Sequence, residues 1–271
     1  MKTSIIKKIG YIAVSAFTIL ACSNITDDNQ TSENPNLEVE TPVYGEFTDK
    51  RNNKTYQTTD IDGTIWMAEN LDVSTFRNGD TILEIKPMFD KDRMMNTKWQ
   101  NALNYDNIPA CCYIYTEEGN NLSKVNVITR YGKIYNKYAV SDPRGLAPEG
   151  WHIATEEEWK NLEKKYKENT LFAIQKKGEW IKQDNYTEEA QAMINMSGFS
   201  ALAGGKRTDS GVCHDGAMAW ASWWFDKANL SVLGHAILTP SDESFKLYSL
   251  DGDWIRGTIN HSSYVRCVKD K

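Results

Sequence analysis

An excess of acidic residues sets the first limits on what this chain of 271 residues can contact. It has 37 acidic and 31 basic side chains, a formal charge of −6 at pH 7. Such a chain gains no electrostatic attraction to nucleic acid or to an anionic lipid surface, so neither is a predicted partner. Its length and its 40% apolar residues are sufficient to bury a substantial core.

The N-terminal segment predicts export. Three lysines within the first eight residues precede an apolar run over residues 9–20, which is too short to span a bilayer. The run ends in Ala21-Cys22, which resembles the lipobox of bacterial lipoproteins, in which the cysteine becomes the lipidated first residue. We predict a lipoprotein signal peptide over residues 1–21 and lipidation at Cys22. An ordinary secretory signal with a chance cysteine is the alternative.

Residues 22–43 predict a flexible acidic tether. Between Ser23 and Pro42 there are five acidic residues but no basic and no aromatic residue. Such a segment buries too little apolar surface to offset the entropy of ordering it. Acidic residues directly after a lipidated cysteine resemble the surface-export signals of Bacteroidetes lipoproteins. This resemblance implies an outer-membrane lipoprotein exposed at the cell surface; a solvated linker is the alternative.

Two tight turns are predicted among the first strands. Residues 47–50 and 55–58 flank the turn-rich triplet Arg51-Asn52-Asn53, which predicts a hairpin. The tetrapeptide at residues 60–63, Asp-Ile-Asp-Gly, predicts a turn before the next strand. A calcium loop is disfavoured there because the other loop ligands and the terminal glutamate are missing at the required spacing.

Two helices are predicted, and one of them is well specified. Residues 97–105 predict a short helix whose apolar side includes Trp99, Ala102 and Leu103. The second helix starts at Thr155, which forms a capping box with Glu158. Its buried stripe consists of Trp159, Leu162 and Tyr166. Its first turn is acidic and its last turn is basic, as the helix dipole favours, so the acids indicate a helix start in preference to a catalytic pair.

Six sequence blocks occur in the order of a known family. They are PACCYIY (109–115), YGKIYNKYAV (131–140), DPRGLAPEGWHIAT (142–155), EEW (157–159), GFSALAGGKR (198–207) and YVRCVKD (264–270). Together they resemble the Fibrobacter succinogenes major paralogous domain (FISUMP), found largely in lipid-anchored or secreted bacterial proteins. The resemblance implies an α+β, C-type lectin-like domain over residues 44–271, with short, mainly antiparallel strands and one or two helices. Formylglycine-generating enzymes share that fold.

The stretch from Trp220 to His261 departs from the family. Family members often carry a W-W-S-S-like block after a G-G-x-R turn, whereas this chain has Ala-Trp-Ala-Ser-Trp-Trp over residues 219–224. In C-type lectin-like folds this region supplies strands and loops on the ligand-facing side. The divergence leaves the expected fold intact and the ligand open.

No metal or cofactor is predicted. The four histidines are far apart in sequence, and there is no His-x-x-x-His or Cys-x-x-Cys pair, nucleotide-binding loop or nucleophile elbow. The Glu-Pro-Asn, Gln-Pro-Asp and Trp-Asn-Asp motifs of calcium-dependent sugar-binding lectins are missing from the predicted domain. His152 is predicted to be a hydrogen-bonded structural residue, and Gly204-Gly205 a tight turn.

The cysteines are predicted to be structural. Beyond Cys22 they are Cys111, Cys112, Cys213 and Cys267. The adjacent pair is poorly placed to form a bond with itself; a bond from either member to one of the other two remains open. The catalytic alternative is a copper-binding cysteine pair like that of formylglycine-generating enzymes. The context Val-Arg-Cys-Val of Cys267 instead indicates a buried strand, so no enzyme activity is predicted.

Aromatic residues in the divergent stretch supply the candidate ligand-binding face. The candidates, including two acids that could contact an ion or sugar hydroxyls, are Trp220, Trp223, Trp224, Tyr248, Asp251, Asp253 and Trp254. Core packing is the alternative and is expected for three of the five aromatic residues. We predict a non-catalytic binding module for glycan or protein. A structural envelope protein without a soluble ligand and an enzyme related to formylglycine-generating enzymes are the alternatives.

Overall fold

Two β-hairpins begin the fold of this computed structural model. The described residues are 39–86, 97–118, 121–181, 183–208, 213–214, 219–227, 233–239, 244–249 and 262–271. Strand β1 (Tyr44–Asp49) pairs antiparallel with β2 (Lys54–Ile61), and β2 pairs antiparallel with β3 (Thr64–Met67). At the second turn Asp62 and Gly63 adopt positive φ angles of 55° and 77°, the geometry that matches the strand twist. Both predicted turns are confirmed.

A three-stranded sheet and a short helix follow. The strands are β4 (Leu83–Glu84), β5 (Ala110–Glu118) and β6 (Asn121–Tyr135). β4 is parallel to β5, and β5 is antiparallel to β6. Helix α1 (Thr97–Gln100) continues as a π-helical turn over Asn101–Tyr105. Trp99, Ala102 and Leu103 are buried, which confirms the predicted apolar side.

The remaining helices include one that is well capped. They are α2 (Lys137–Val140), α3 (Glu156–Tyr166), α4 (Thr170–Ile174) and α5 (Glu188–Met193), with strand β7 (Trp151–Ile153) before α3. The Glu158 N–H donates to Thr155 Oγ1 at 3.2 Å, and the Thr155 N–H donates to Glu158 Oε2 at 2.8 Å. The predicted capping box is therefore confirmed. Trp159, Leu162 and Tyr166 are buried, as the stripe predicted.

The C-terminal strands complete two large sheets. They are β8 (Lys206–Arg207), β9 (Cys213–His214), β10 (Ala221–Asp226), β11 (Leu233–Thr239), β12 (Ser244–Ser249), β13 (Tyr264–Val265) and β14 (Cys267–Lys269). One sheet has the order β12-β11-β10-β13, with β13 parallel to β10; the other has the order β1-β2-β3-β14-β7. The first and last strands of the domain therefore share a sheet.

Antiparallel pairing dominates and the helices are few and short, which confirms the predicted α+β class. Two clusters of buried apolar residues form the core; Trp159 and Trp223 belong to one, and Trp151 and Trp224 to the other. Val39–Lys271 form one compact unit. Among the described residues, no helix has both the length and the apolar character needed to cross a membrane.

A fully buried arginine joins the C-terminal strands to the rest of the core. Arg266 donates from Nε to Asn70 Oδ1 at 2.8 Å, and from Nη1 to the carbonyl oxygens of Met67 and Phe199, both at 2.9 Å. Its Nη2 donates to the Ser200 carbonyl oxygen at 3.3 Å. Within the described ranges no carboxylate forms an ion pair with this cation, so oriented carbonyl and amide dipoles compensate its burial.

Two glycines form the predicted turn before β8, for different reasons. Gly205 adopts a φ of 71°, the left-handed region that favours glycine. A Cβ atom on Gly204 would collide with the Tyr264 hydroxyl, which donates a hydrogen bond to the Gly204 carbonyl oxygen at 2.7 Å. The turn is confirmed; close packing, and not φ, requires glycine at position 204.

Candidate functional site

Consecutive tryptophans in β10 point into opposite halves of the core. The Trp223 Nε1 donates to Asn70 Oδ1 at 2.8 Å, and its ring packs 5.8 Å from that of Trp159. The Trp224 Nε1 donates to the Tyr135 carbonyl oxygen at 2.8 Å. Both side chains are 0% exposed, because successive strand residues alternate between two faces that are both covered. This placement removes Trp223 and Trp224 from the predicted ligand-facing surface and agrees with the core packing that was expected for three of the five aromatic candidates.

The other predicted site residues are distributed differently. Trp220 is half-buried, with the Lys206 ammonium 5.2 Å from the centre of its ring. Tyr248 is 44% exposed, which makes it the aromatic candidate with the most accessible ring among those described. Asp251, Asp253, Trp254 and the lipidation site Cys22 lie outside the described residues, so those assignments stay predictions.

Tyr248 belongs to a solvent-facing surface of β11 and β12. Across the sheet, Tyr248 is paired with His235 and His235 with Trp224, and this row of side chains lies on one face. In the next row on that face, Ile237 is half-buried and Lys246 is exposed. We call Ile237, Lys246 and Tyr248 the outer sheet face.

On the same side of the sheet, toward β10 and β13, this face is covered and contains a buried chain of hydroxyl groups. Ser222 Oγ and Ser263 Oγ are 2.6 Å apart, and Ser263 Oγ lies 3.0 Å from His235 Nδ1. The His235 ring stacks on Trp224 with a centroid distance of 4.1 Å. All four residues are buried, so no surface-bound substrate reaches the serines. The chain satisfies polar groups inside the sheet packing and is not a nucleophile–base pair.

A polar cavity opens on the opposite side of β12, next to the C-terminal half of α3. Its volume is about 570 Å³. We call it the α3–β12 cavity; its lining residues are Lys160, Glu163, Lys164, Lys167, Glu168, Thr170, Leu171, Ser244 and Phe245. Leu171 is buried and Phe245 half-buried, with the Phe245 ring centred 5.8 Å from the Trp159 ring. The floor is therefore apolar and the walls are charged.

The backbone at the end of α3 is strained. Lys167 has φ 52° and ψ −130°, a conformation in which a side chain is disfavoured. The buried Thr170 holds this turn, because its Oγ1 donates to the Lys167 carbonyl oxygen at 2.7 Å. The sequence predicted that the lysines at this end of α3 complement the helix dipole. It did not predict the cavity that they line, because nothing in the sequence signals a positive φ at a lysine.

A cluster of side chains with shifted pKa values lies beside the β5–β6 sheet. Lys133 Nζ donates to Tyr113 Oη at 2.6 Å and to Asp72 Oδ1 at 3.1 Å. Burial raises the pKa of Tyr113. Although burial opposes the ionised forms, Lys133 and Lys54 hold the pKa of Asp72 below its usual value, and bonds to Tyr113 and Asp72 raise that of Lys133. All three pKa values are displaced away from pH 7, which suits a structural network better than general acid–base catalysis.

His152 connects the start of α3 to the C-terminus. Its Nε2 lies 2.9 Å from Glu158 Oε1 and its Nδ1 lies 2.7 Å from Asp270 Oδ1. The bond to Glu158, opposed by burial and supported by Asp270, raises the pKa of His152 to about 9. The imidazolium between two carboxylates confirms the predicted hydrogen-bonded role.

Three of the cysteine thiols are buried in the part of the domain that the structure describes. Cys111, Cys112 and Cys267 are free, and Cys112 Sγ accepts from Arg207 Nη1 at 3.0 Å. Burial raises the pKa of Cys267 to about 12 and raises that of Cys111. Such thiols have little thiolate at neutral pH and are poor nucleophiles or copper ligands. Within the described ranges, no three His, Cys, Asp or Glu side chains gather as metal ligands.

Comparison with known sequences identifies the domain. The Fibrobacter succinogenes major domain matches residues 59–269, which is most of the chain. This match confirms the resemblance drawn from the six sequence blocks. No curated protein and no solved structure matches the chain significantly.

Proposed function

The chain belongs to the Fibrobacter succinogenes major domain family, and from that premise we propose that it is a lipid-anchored, non-catalytic binding module of the bacterial cell envelope. In this proposal Cys22 carries the lipid and residues 22–43 form a tether. Residues 44–271 form a C-type lectin-like domain that recognises a glycan or a protein on the outer surface of the outer membrane.

The position of β12 supports the binding role most directly. Ser244 and Phe245 of this strand line the α3–β12 cavity, and its Lys246 and Tyr248 belong to the outer sheet face. A single strand thus presents a half-buried aromatic ring, an exposed one and a cation to solvent. Aromatic rings with adjacent polar groups are typical of recognition surfaces.

The chemistry of the titratable groups supports a non-catalytic role. The pKa values of Lys133, Asp72 and Cys267 are displaced away from neutrality. A general acid, base or thiolate nucleophile needs the opposite displacement. Oxidation of a cysteine-containing peptide by the purified chain, lost in Cys267→Ala, would overturn this part of the proposal.

A binding screen tests the proposal. The full-length chain, purified in detergent, is titrated with a glycan panel and with intact bacterial cells, alongside Tyr248→Ala and Lys164→Ala. We expect saturable binding that one of these two exposed substitutions weakens. A complete lack of binding, with no partner recovered by crosslinking in cells, would favour a structural envelope protein.

The anchor is tested separately. Cells that express the chain are fed an alkyne-labelled fatty acid, and we expect the label on the wild type and none on Cys22→Ser. Equal labelling of the two proteins, or no label on either, contradicts lipidation at Cys22. Protease digestion of intact cells then tests surface exposure; a chain protected until the outer membrane is opened would place the domain in the periplasm.

A further inference from the structure

We infer that the α3–β12 cavity binds a neutral saccharide. This inference rests on the proposed binding function and names the ligand class that the function leaves open. The cavity, of about 570 Å³, has a volume within the range of roughly 300–1,000 Å³ that is typical of small-ligand sites. It is large enough for a short oligosaccharide segment.

The floor of the cavity suits the carbon-bound hydrogens of a sugar ring. Phe245 presents a half-buried ring held against Trp159, and Leu171 provides apolar surface beside it. A sugar ring has a weakly polar face that packs on such a surface, while its hydroxyl groups point outward at the rim. The rim must therefore supply hydrogen-bond partners.

The walls supply donors and acceptors together. In the described part of the chain Lys164, Lys167, Glu163 and Glu168 make no ion pair, whereas Lys160 is paired with Glu156 at 2.8 Å. A hydroxyl group both donates and accepts, an ammonium group only donates and a carboxylate only accepts. An alternation of ammonium and carboxylate groups therefore matches a polyhydroxylated ligand.

The same charges disfavour an anionic ligand. A uronate or phosphate placed between Lys164 and Lys167 would also lie near Glu163 and Glu168, and like charges in one site oppose binding. A neutral sugar meets no such repulsion. Its affinity therefore depends little on ionic strength, whereas that of a charged ligand at an exposed site falls as salt screens the attraction.

The strained conformation of Lys167 keeps two of these groups available. On a regular helix Glu163 and Lys167 would be neighbours at i and i+4 and would form an ion pair. The φ of 52° turns the Lys167 Cβ off that ridge, and no pair forms between them. Strain of this kind persists where the surrounding structure holds it, and such positions cluster at functional sites.

The test uses the full-length chain in detergent and isothermal titration calorimetry. The probes are neutral oligosaccharides of glucose, galactose, mannose and xylose, with oligogalacturonate as the anionic comparison. Lys164→Ala and Glu168→Ala remove one exposed cation and one exposed anion of the cavity. Lys177→Ala and Glu157→Ala are matched controls, because both residues are exposed and neither lines the cavity.

We expect one neutral probe to bind with an affinity that changes little between about 0.05 and 0.5 M salt. Each cavity variant should weaken it about tenfold, the equivalent of one lost charged hydrogen bond, and neither control should do so. Binding of oligogalacturonate alone would overturn the inference. Neutral binding that Tyr248→Ala abolishes and the cavity variants leave intact would overturn the site while the binding function stands. Capture of a defined protein partner without saccharide binding would also overturn the saccharide site while the binding function stands. No binding of any kind would overturn both the saccharide site and the binding function.

Discussion

Replacing Lys167 by glycine should stabilise the protein while removing a ligand contact. The residue is exposed and has a φ of 52°, so its side chain contributes conformational strain and little burial. A non-glycine residue in a sparsely populated region costs about 1–3 kcal/mol. Glycine relieves this cost but adds about 0.5–1 kcal/mol of chain entropy to be lost on folding. The net expectation is a gain of about 1 kcal/mol in the free energy of unfolding.

Thermal and urea denaturation measure this change. For a domain of this size a gain of about 1 kcal/mol corresponds to a rise of about 2–4 °C in Tm. Lys164→Gly is the matched control, because Lys164 is an exposed lysine inside the regular part of α3 and glycine there should cost about 1 kcal/mol. Opposite signs at two lysines three residues apart would show that backbone conformation decides the outcome. Destabilisation by both substitutions would refute the strain at Lys167.

Three further predictions concern the scaffold. Arg266→Lys should destabilise the protein by about 3–6 kcal/mol, and at least as much as Arg266→Met. The reason is that an ammonium keeps the buried charge but cannot reach all four acceptors of the guanidinium, which lie on Asn70, Met67, Phe199 and Ser200. A lysine variant whose free energy of unfolding in urea lies within about 1 kcal/mol of the wild-type value would contradict this prediction. The pKa of His152 is raised to about 9 in the folded protein, so its contribution to the free energy of unfolding is complete below the unfolded pKa of about 6.5 and is lost as the pH rises through about 9. Since the ring is partly exposed, the loss of stability should not exceed about 1 kcal/mol. His152→Gln should remove this pH dependence, and an unchanged stability profile against pH would argue against the ion pairs. Gly204→Ala should cost about 1–3 kcal/mol through the collision of its Cβ with the Tyr264 hydroxyl and ring. The double variant with Tyr264→Leu, which removes both, should recover part of that loss, and strictly additive effects in urea denaturation would exclude the contact.

Local sequence rules were sufficient to predict the elements that are stabilised by contacts between neighbouring residues. The capping box of Thr155 and Glu158 and the stripe from Trp159 to Tyr166 predicted both the start and the buried side of α3. The turns between β1, β2 and β3 followed from Asn and Asp-Gly sequences that tolerate positive φ. In each case the deciding contacts lie within a few residues along the chain, so neighbouring sequence contains the information.

The candidate site could be predicted only in part, because it depends on contacts between distant segments. The run from Ala221 to Phe225 is apolar except for Ser222 and is buried on both faces, a pattern typical of an internal strand. Strand alternation by itself places Trp223 and Trp224 on opposite faces, so one ligand-facing pair was not possible. The α3–β12 cavity joins Lys167 to Phe245, residues far apart in sequence, and its strained lysine has no sequence signal.

One calorimetric comparison tests most directly whether the protein works as a binding module through this cavity. The affinity of the wild type for its neutral oligosaccharide is measured beside that of Lys167→Gly, with the stability of both recorded in the same buffer. A functional role for the strained lysine predicts that the variant is the more stable protein and binds about tenfold more weakly. Equal affinity in a more stable variant would contradict it and would leave Lys167 as a position of backbone strain without a role in recognition.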